Sequence, residues 1–405
     1  MLTLVTTNPG KYAAFGPELE RLRIGLAAPP WTLPELQCLS FAEALEAKAR
    51  ALADLHRRPV LVDDAGLVLE AYPGFPGPLT ALVLRSLGVP GLQQLLRGLS
   101  DRATLECHIG WWAGGRLRSW TGVARGRLDL SRPPRDPRMP LSDLFVPDEP
   151  ASGGRLPHRA RALAALEAEA FDLHLETAPQ APAPPDHCPP PSAYHCPFCV
   201  ELEEPSHSLF AQMVGERLPS RIIYEDEHFV LMPPLGQFIE GGLLLLARSH
   251  LLSLACLPPD QLAHLERLLE AISRALVARW GVPPLVFEHG PAPERTKGVC
   301  CVDHAHFNVF PARVHLHPHL AQRMNLPLRA LPELARLRRA EFGYLFVQEN
   351  DGSRRVYDGF NAPTQLVRRV LATQLGLAER WHWQDYPGIA ELLATYHALE
   401  GQIRL

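Results

Sequence analysis

The sequence predicts an α/β domain followed by an α+β domain, joined by a proline-rich segment. The 405 residues are too many for one typical core and fit two or three domains. Strand-like and helical stretches alternate over the first 172 residues, whereas strands flank one long helix in the second part. Residues 178–194 are rich in proline and have no apolar period, which is typical of a semi-rigid spacer.

Apolar periodicity defines the elements of the first part. Strands are expected where apolar residues run together or alternate, and helices where they recur about every 3.6 residues. The carboxylates Asp63 and Asp64 are expected where a buried strand ends, and Ala113–Gly115 is expected to turn a hairpin. The predicted strands are 2–6, 59–62, 103–113 and 116–127, and the predicted helices are 11–22, 40–56, 78–97 and 157–171.

The second part opens with two short apolar strands and contains one long amphipathic helix. That helix starts after Pro258 and Pro259, and later apolar periods indicate shorter helices towards the end of the chain. The predicted strands are 221–224, 229–232, 242–247, 284–288, 301–310 and 344–348, and the predicted helices are 258–280, 331–340, 363–376 and 388–399.

Composition argues against several classes of protein. The net charge of −4 lacks the strong basic excess that is typical of nucleic-acid-binding proteins. No apolar run approaches the length of a membrane span, and the apolar start Met1–Val5 is too short for a signal peptide. Eight cysteines in a chain of this length do not form a disulfide framework. We therefore predict a cytoplasmic protein that binds neither nucleic acid nor membrane.

The segment 303–311 is the most informative for function. Alternate residues of a strand share a face, so His304, His306 and Asn308 would line one face. The residues between them are apolar and would point into a core. Two imidazoles and an amide in a row form a polar surface that must be satisfied or used, although such a pattern is also often only a solvated strand face.

Cys196 and Cys199 form a Cys-x-x-Cys pair shortly before this domain's first strand. A tight turn brings both thiolates to one side, as a tetrahedral metal requires. His250 and His304 are the candidates for the other two ligands of a Zn²⁺ site. A lone pair of this kind is also found as a simple turn or as a redox pair.

These residues resemble the histidine triad (HIT) superfamily. The matching stretches are 196–199, 224–230, 241–250, 304–309, 365–369 and 381–383. The resemblance implies an α+β domain with an antiparallel sheet over residues 196–320. It also implies a helical extension over 321–405 packed on that domain, and a homodimer.

By this resemblance His306 would attack the α-phosphorus of a nucleotide. A covalent nucleotidyl-imidazole would form and then be resolved by water or another acceptor. Lys297 and Gly298 would help to cradle the phosphate oxygens. Asn308 stands where the family usually has a third histidine, and an amide cannot carry a proton as an imidazolium does. The leaving-group role at this position is therefore open.

Two features of the first part suggest phosphate chemistry. Thr7–Lys11 lies between a strand and a helix, where backbone amides and a lysine can bind phosphate. Asp63 and Asp64 repel each other, so one of them tends to bind a metal or to act as a base. Strand–loop–helix turns are also common without a ligand, and Glu43 can be read as a residue that complements a helix dipole.

Together these features resemble the purine nucleoside triphosphate pyrophosphatase (inosine triphosphatase) family over nearly all of residues 1–172. The matching stretches are 7–11, 41–43 with Lys48, 62–67, 75–78, 91–96 and 157–159. The resemblance implies an α/β domain over residues 1–176 with a central mixed sheet. A linker over residues 177–195 would then separate it from the second domain.

The same resemblance implies site residues for a Mg²⁺-dependent reaction. Glu43 and Asp64 would hold the metal, and Asp64 would also be the base that aligns water. The implied phosphate-binding residues are Asn8, Lys11 and Lys48, and the implied nucleotide-binding residues are His158 and Arg159.

Three positions depart from that family pattern. Ala44 replaces an asparagine, Ala65 a serine or threonine, and Pro157 a serine. The metal-binding residues are intact, whereas the substrate pocket is altered. The sequence therefore leaves open whether the site acts on inosine or xanthosine triphosphate, has been retargeted or has been lost.

The predicted function is hydrolysis or transfer at nucleotide phosphate bonds by two separate sites. The first would convert a nucleoside triphosphate to the monophosphate and pyrophosphate, and the second would use a nucleotidyl-histidine. One alternative is a single active HIT site, a dinucleoside polyphosphate hydrolase or phosphorylase with a degenerate first domain. Another is a nucleotide-binding regulatory protein without turnover.

Overall fold

The computed structural model divides into two compact units, Met1–Thr177 and Ala178–Leu405. Each unit is described by itself. The described residues are 2–6, 9–27, 36–55, 59–113, 115–135, 140–149, 156–177, 196–291, 304–339, 343–359, 362–363 and 365–405.

Within the described part of the first unit, seven strands form one mixed sheet. The strand order is β2-β1-β3-β5-β6-β7, and β4 pairs with β3 beside this path. Strand β1 lies between β2 and β3 and pairs in parallel with both, and the remaining pairs are antiparallel. The strands are β1 (Thr3–Val5), β2 (Gly25–Ala27), β3 (Val60–Leu69), β4 (Tyr72–Gly77), β5 (Arg102–Ala113), β6 (Arg116–Leu128) and β7 (Phe145–Pro147).

Helices cover the sheet of the first unit. The apolar stripe of α2, including Leu45, Ala49 and Leu52, is buried with Val60 and Val62 of β3. This packing sets the middle of α2 against the start of β3. The helices are α1 (Pro9–Arg21), α2 (Phe41–Leu55), α3 (Thr80–Leu95), α4 (Leu141–Leu144) and α5 (Pro157–Thr177).

Strand β3 is longer than the sequence indicated. Asp63 and Asp64 were expected at its end, but the strand continues for five residues beyond them to Leu69. The reason is the long partner β5, which pairs with β3 from Leu61 to Leu69 and satisfies the backbone on both sides of the carboxylates. The two carboxylates therefore lie in the middle of a sheet strand.

Within the described part of the second unit, eight strands form an antiparallel sheet in the order β13-β15-β14-β11-β12-β10-β9-β8. The predicted classes, an α/β fold with a mixed sheet and a separate antiparallel sheet with helices, are confirmed. The strands are β8 (Tyr224–Glu225), β9 (Phe229–Met232), β10 (Leu243–Ala247), β11 (Leu285–Gly290), β12 (His306–Phe310), β13 (Asn325–Leu328), β14 (Tyr344–Gln348) and β15 (Arg354–Asp358).

The helical part of the second unit buries one face of this sheet. Phe287, Phe310 and Leu345 of the sheet pack with Val367 and Leu371 of a late helix. The helices are α6 (Pro197–Glu203), α7 (Leu209–Val214), α8 (Pro259–Trp280), α9 (His317–Leu320), α10 (Leu366–Gln374) and α11 (Ile389–Leu399), and 3-10 turns cover Pro205–His207, Leu254–Cys256 and Leu331–Arg339.

Several sequence-based boundaries were wrong in this unit. The strand expected over 221–224 is reduced to Tyr224–Glu225, and the helix expected over 331–340 is a 3-10 helix over Leu331–Arg339. Strands β13 and β15 were not predicted at all. None of the helices in the described ranges is long and apolar enough to cross a membrane.

Candidate active sites

The first unit contains a cavity of about 650 Å³ at the middle of β3. Its described charged and titratable lining residues are Lys11, Lys48, Asp63, Asp64, Arg85, His158 and Arg159. Four cations therefore face two carboxylates, which suits an anionic ligand. The sequence analysis had brought forward all of these residues except Arg85, which is exposed on α3.

Asp63 and Asp64 have different surroundings although they are neighbours. Asp63 is almost completely buried, and its carboxylate lies 2.6 Å from the ammonium group of Lys11. Burial opposes the charge on Lys11, but the Asp63 carboxylate outweighs it and raises the lysine's pKa. Lys11 is thus held charged at the cavity wall by a carboxylate of its own.

Asp64 lies at the cavity wall. Its Oδ1 accepts a hydrogen bond from the amide of Ala65 and lies 3.8 Å from the ammonium group of Lys48. Burial raises the pKa of Asp64, while Lys48 and Lys11 oppose that rise. Lys48 also donates a hydrogen bond to the carbonyl oxygen of Asp63 at 3.1 Å. Lys48 thereby connects both carboxylate residues.

Helix α5 brings His158 and Arg159 to the same cavity. Burial, together with the charges of Arg159 and Lys11, lowers the pKa of His158 to about 3. This imidazole is therefore neutral near pH 7. The helix can approach because Gly122 of β6 has no side chain: a Cβ there would lie 2.0 Å from the carbonyl oxygen of His158.

Two other sequence-predicted residues of the first site, Glu43 and Asn8, are not among the described residues that line the cavity. Glu43 is exposed in the first turn of α2 and is not one of the described residues that line the cavity. Asn8 lies outside the described residues. Ala44 and Ala65, two of the positions that depart from the family pattern, both line the cavity. The departures therefore change the cavity wall itself.

In the second unit the four predicted zinc ligands converge. One ligand atom from each of Cys196, Cys199, His250 and His304 lies within 4.8 Å of the others. The Nδ1 atom of His304 lies 3.4 Å from the sulfur of Cys196 and 3.6 Å from that of Cys199. The Nδ1 atom of His250 lies 3.2 Å from the sulfur of Cys199.

The hydrogen-bond partner of Nε2 determines which ring nitrogen of His304 carries the hydrogen. Its Nε2 lies 2.7 Å from the carbonyl oxygen of Ala247, which can only accept, so Nε2 carries the hydrogen and Nδ1 has the lone pair. Burial lowers the pKa of His304 to about 4. This side chain is therefore a neutral imidazole whose lone pair faces the two sulfur atoms.

His306 follows on the first position of β12. Its Nδ1 lies 2.7 Å from the carbonyl oxygen of His304, so Nδ1 carries the hydrogen and Nε2 has the lone pair. Burial lowers the pKa of His306, and the contact with the carbonyl opposes this. The ring of Phe198 lies edge-on to the rings of both His304 and His306.

His306 and Asn308 line a cavity of about 130 Å³. As predicted from the alternation, Ala305, Phe307 and Val309 are buried. The strand predicted over 301–310 begins only at His306, so His304 lies two residues before it; there it is buried and faces the cysteines. Of the other lining residues, five lie in stretches that carried the resemblance but were given no site role, namely Leu244, Gln365, Val367, Arg368 and Trp383. The sequence analysis did not bring forward the remaining four, Pro234, Leu235, Phe287 and His289. Lys297 and Gly298 lie outside the described residues.

Comparisons with known proteins agree with the geometry of the first unit. A model of the Ham1 family matches residues 2–169. A dITP/XTP pyrophosphatase of Thermococcus kodakarensis is 31% identical over 172 residues, which are 40% of this chain and 92% of that protein.

Solved structures were found for both units. The Ham1 protein of Staphylococcus aureus covers 44% of this chain and 100% of its own, with 20% identity and a TM-score of 0.35. A HIT family protein from Bacillus anthracis covers 30% of this chain and 74% of its own, with 20% identity and a TM-score of 0.22. Through residues 2–169, and at 31% identity to a relative matched over 92% of its length, this chain belongs to the Ham1 family.

Proposed function

We propose that the chain is a nucleotide phosphohydrolase with two chemically separate sites. The first domain (1–176) cleaves a nucleoside triphosphate to the monophosphate and pyrophosphate. A linker (177–195) leads to a HIT-like domain (196–320) with its extension (321–405), which cleaves nucleotide phosphate bonds through His306. The observation that supports the first site most is the Asp64–Lys48–Asp63–Lys11 constellation on one cavity wall.

The first site provides what phosphoryl chemistry needs, namely positioning and neutralised charge. Lys11, Lys48 and Arg159 hold the phosphate chain, with Asn8 as the further predicted contact. The neutral His158 contacts the nucleotide. Burial raises the pKa of Asp64, which makes its carboxylate a better proton acceptor, so we assign to Asp64 the role of accepting a proton from the attacking water.

The donor set of this site suits Mg²⁺. Carboxylate oxygens are ligands that Mg²⁺ prefers, usually one or two of them together with substrate phosphates. Asp64 offers such oxygens at the cavity wall, and Glu43 is the second predicted ligand. When bound, the ion would neutralise charge that develops on the phosphate oxygens.

A substrate panel tests the first site. The relative from Thermococcus is named for dITP and XTP, so these are the first substrates to compare with dATP and dGTP. We expect pyrophosphate release that depends on added Mg²⁺ and falls at least about 100-fold in Asp64→Asn. The matched control is Asp172→Asn, the same substitution towards the C-terminal end of α5 and outside the described lining of the cavity. This variant should keep wild-type rates. Equal activity of Asp64→Asn and wild type would refute this assignment.

The second site provides a neutral imidazole with an oriented lone pair. Nδ1 of His306 donates to the His304 carbonyl, so the Nε2 lone pair attacks the α-phosphorus and forms a P–N bond. The bond to the leaving group breaks, and its electron pair remains on the leaving oxygen. Water then attacks the nucleotidyl-imidazole and regenerates His306. Asn308 lines the same cavity and can donate a hydrogen bond to a phosphate oxygen.

The cysteine–histidine cluster fits a structural Zn²⁺. Tetrahedral bond lengths to sulfur and nitrogen separate neighbouring ligand atoms by about 3.5 Å. The sulfur–nitrogen separations of 3.2, 3.4 and 3.6 Å agree with this spacing. Cys196, Cys199, His250 and His304 would hold the ion, which would tie α6 to β12 and fix the His304 carbonyl that orients His306.

The second site is tested with dinucleoside polyphosphates and a nucleoside phosphoramidate. We expect nucleoside monophosphate release that is abolished in His306→Ala and unchanged in the exposed control His315→Ala. Addition of inorganic phosphate separates hydrolysis from phosphorolysis, since a phosphorolytic enzyme would release a nucleoside diphosphate. Binding of nucleotides without any product from wild type would leave only the regulatory alternative. Gel filtration tests the homodimer that the resemblance implies.

A further inference from the structure

We propose that His289 is the proton donor to the leaving group in the second site. This inference rests on the proposed role of His306 as the nucleophile. His289 belongs to β11 and lies outside the His-x-His-x-Asn segment, 17 positions before His306 in the chain. In the structure both side chains line the same cavity.

The two histidines lie on neighbouring strands that line the same cavity. Strand β11 pairs antiparallel with β12, and Phe287 stands opposite Asn308. Phe287 and Asn308 are the last such pair, and His289 lies two residues after Phe287 while His306 lies two residues before Asn308, so an extension of this register leads towards both histidines. Residues two apart share a face, and directly opposed side chains start about 5 Å apart. The imidazole of His289 is therefore beside the nucleophile, on the face that carries Asn308.

The reaction needs a proton at the leaving oxygen or nitrogen whenever the leaving group is basic. Asn308 can donate a hydrogen bond but cannot give up a proton. His306 cannot supply it, because its Nε2 is bonded to phosphorus during this step and its Nδ1 hydrogen is held by the His304 carbonyl. A further acid is therefore required at the cavity.

Few described residues of the cavity wall can serve as that acid. Among them, only His289, His306 and Arg368 have a titratable side chain. Arg368 does not release its proton in proteins. Its guanidinium group also donates to the carbonyl oxygens of Trp381 and Gly236 and lies over the ring of Phe238. His289 is the remaining candidate.

Glu288 is excluded although it is adjacent in sequence. It points to the other face of the sheet, where it accepts hydrogen bonds from the amide of Leu254 and the hydroxyl of Tyr344. Sharing β11 with His289 therefore gives it no access to the cavity.

The balanced step is as follows. The Nε2 lone pair of His306 forms the P–N bond while the bond from phosphorus to the leaving group breaks. The electron pair of that bond takes the proton of the His289 imidazolium, which becomes a neutral imidazole. In the second step neutral His289 accepts a proton from the attacking water, the P–O bond forms, and the P–N electrons return to His306.

Two aryl esters of AMP with nearly the same shape provide the test. The phenyl ester has a basic leaving group that needs a proton, whereas the 4-nitrophenyl ester leaves as a stable anion. General acid catalysis contributes roughly 100-fold or more, so His289→Asn should lose at least about that factor in kcat/KM on the phenyl ester. It should lose less than about 10-fold on the 4-nitrophenyl ester. His289→Gln provides a second variant if the first folds poorly, and His315→Asn is the exposed-histidine control.

The outcomes separate this inference from the function on which it rests. Equal losses on both esters, or no loss on either, would overturn the role of His289 while leaving His306 as nucleophile. Turnover of either ester that survives in His306→Ala would overturn the proposed function and this inference with it. A melting temperature of His289→Asn close to that of wild type shows that the losses are chemical.

Discussion

The Nδ1 atom of His306 lies 2.7 Å from the carbonyl oxygen of His304, the residue two positions before it. That carbonyl belongs to a residue whose own Nδ1 faces two cysteine sulfurs and whose Nε2 is held by Ala247. The orientation of the proposed nucleophile is therefore coupled to the cysteine cluster through one backbone segment. A metal held by the cluster would stabilise the reactive ring without touching it.

Removal of the metal should therefore weaken both the fold and the chemistry of the second site. Purified protein should contain about one zinc per chain, and Cys199→Ser should lose it, because three ligands hold Zn²⁺ less tightly than four. Elemental analysis measures the zinc content, the melting temperature measures the stability of the fold, and nucleoside monophosphate release measures the chemistry of the second site. Cys38→Ser in the first unit is the control and should keep the metal. Full zinc content in Cys199→Ser would show that this cluster is not the metal site.

Gly122 should be required for the first site. A Cβ at this position would lie 2.0 Å from the carbonyl oxygen of His158 and 2.3 Å from the amide nitrogen of Ala162. Gly122→Ala should therefore push α5 off β6, destabilise the unit by about 1–3 kcal/mol and weaken substrate binding through His158 and Arg159. Denaturant unfolding and KM measure these effects.

The control for that substitution is Gly16→Ala. A Cβ at Gly16 meets nothing within 4 Å, and the residue lies in α1, where alanine favours the helix over glycine. This variant should be as stable as wild type or slightly more stable. A Gly122→Ala protein with unchanged stability and KM would contradict the close helix–strand contact.

Burial raises the pKa of Glu288 to about 8 in the folded chain, against the hydrogen bonds from Tyr344 and Leu254, and the ordinary value is 4.5. Between these two values the folded state binds the proton that the unfolded state has lost. The stabilisation that comes from this bound proton is therefore complete below pH 4.5. It is lost at about 1.4 kcal/mol per pH unit as the pH rises towards 8. Glu288→Gln, which resembles the protonated acid, should remove this part of the pH dependence.

Native-state hydrogen exchange of β11 and β14 at pH 5 and pH 8 measures the Glu288 effect. The stability of Glu288→Gln relative to wild type should be greater at pH 8 than at pH 5. Glu270→Gln, exposed in α8, is the control and should show no such difference. The same relative stability of Glu288→Gln at both pH values would contradict a protonated Glu288.

The sequence predicted the residues that lie near each other in the chain better than those that the sheets bring together. The alternation of residues 304–309, the helix α8 and the hairpin β5–β6 are local patterns, and their elements were found nearly as expected. Strands β13 and β15 were missed because Pro327 in β13 and the pair Arg354–Arg355 in β15 obscure the apolar alternation. These strands form because β15 pairs with β14, and β13 then pairs with β15.

The candidate sites show the same division. Asp64 and His306 were predicted from short motifs and line the two cavities, whereas the pairing of Lys11 with Asp63 depends on how β1, α1 and β3 meet. His289 was missed because its proximity to His306 is a matter of strand register, and register cannot be read from either strand alone. Arg368 and Trp383 reach the cavity only through the fold of the last 40 residues.

The most direct test of the account is to trap the nucleotidyl intermediate. Wild type is mixed with the 4-nitrophenyl ester of AMP, quenched within one turnover and digested under conditions that preserve P–N bonds, and the peptides are analysed by mass spectrometry. We predict an added AMP group on His306, no adduct in His306→Ala, and wild-type adduct formation in Asp64→Asn. An adduct on another residue, or rapid turnover with no covalent species at any time point, would contradict the account.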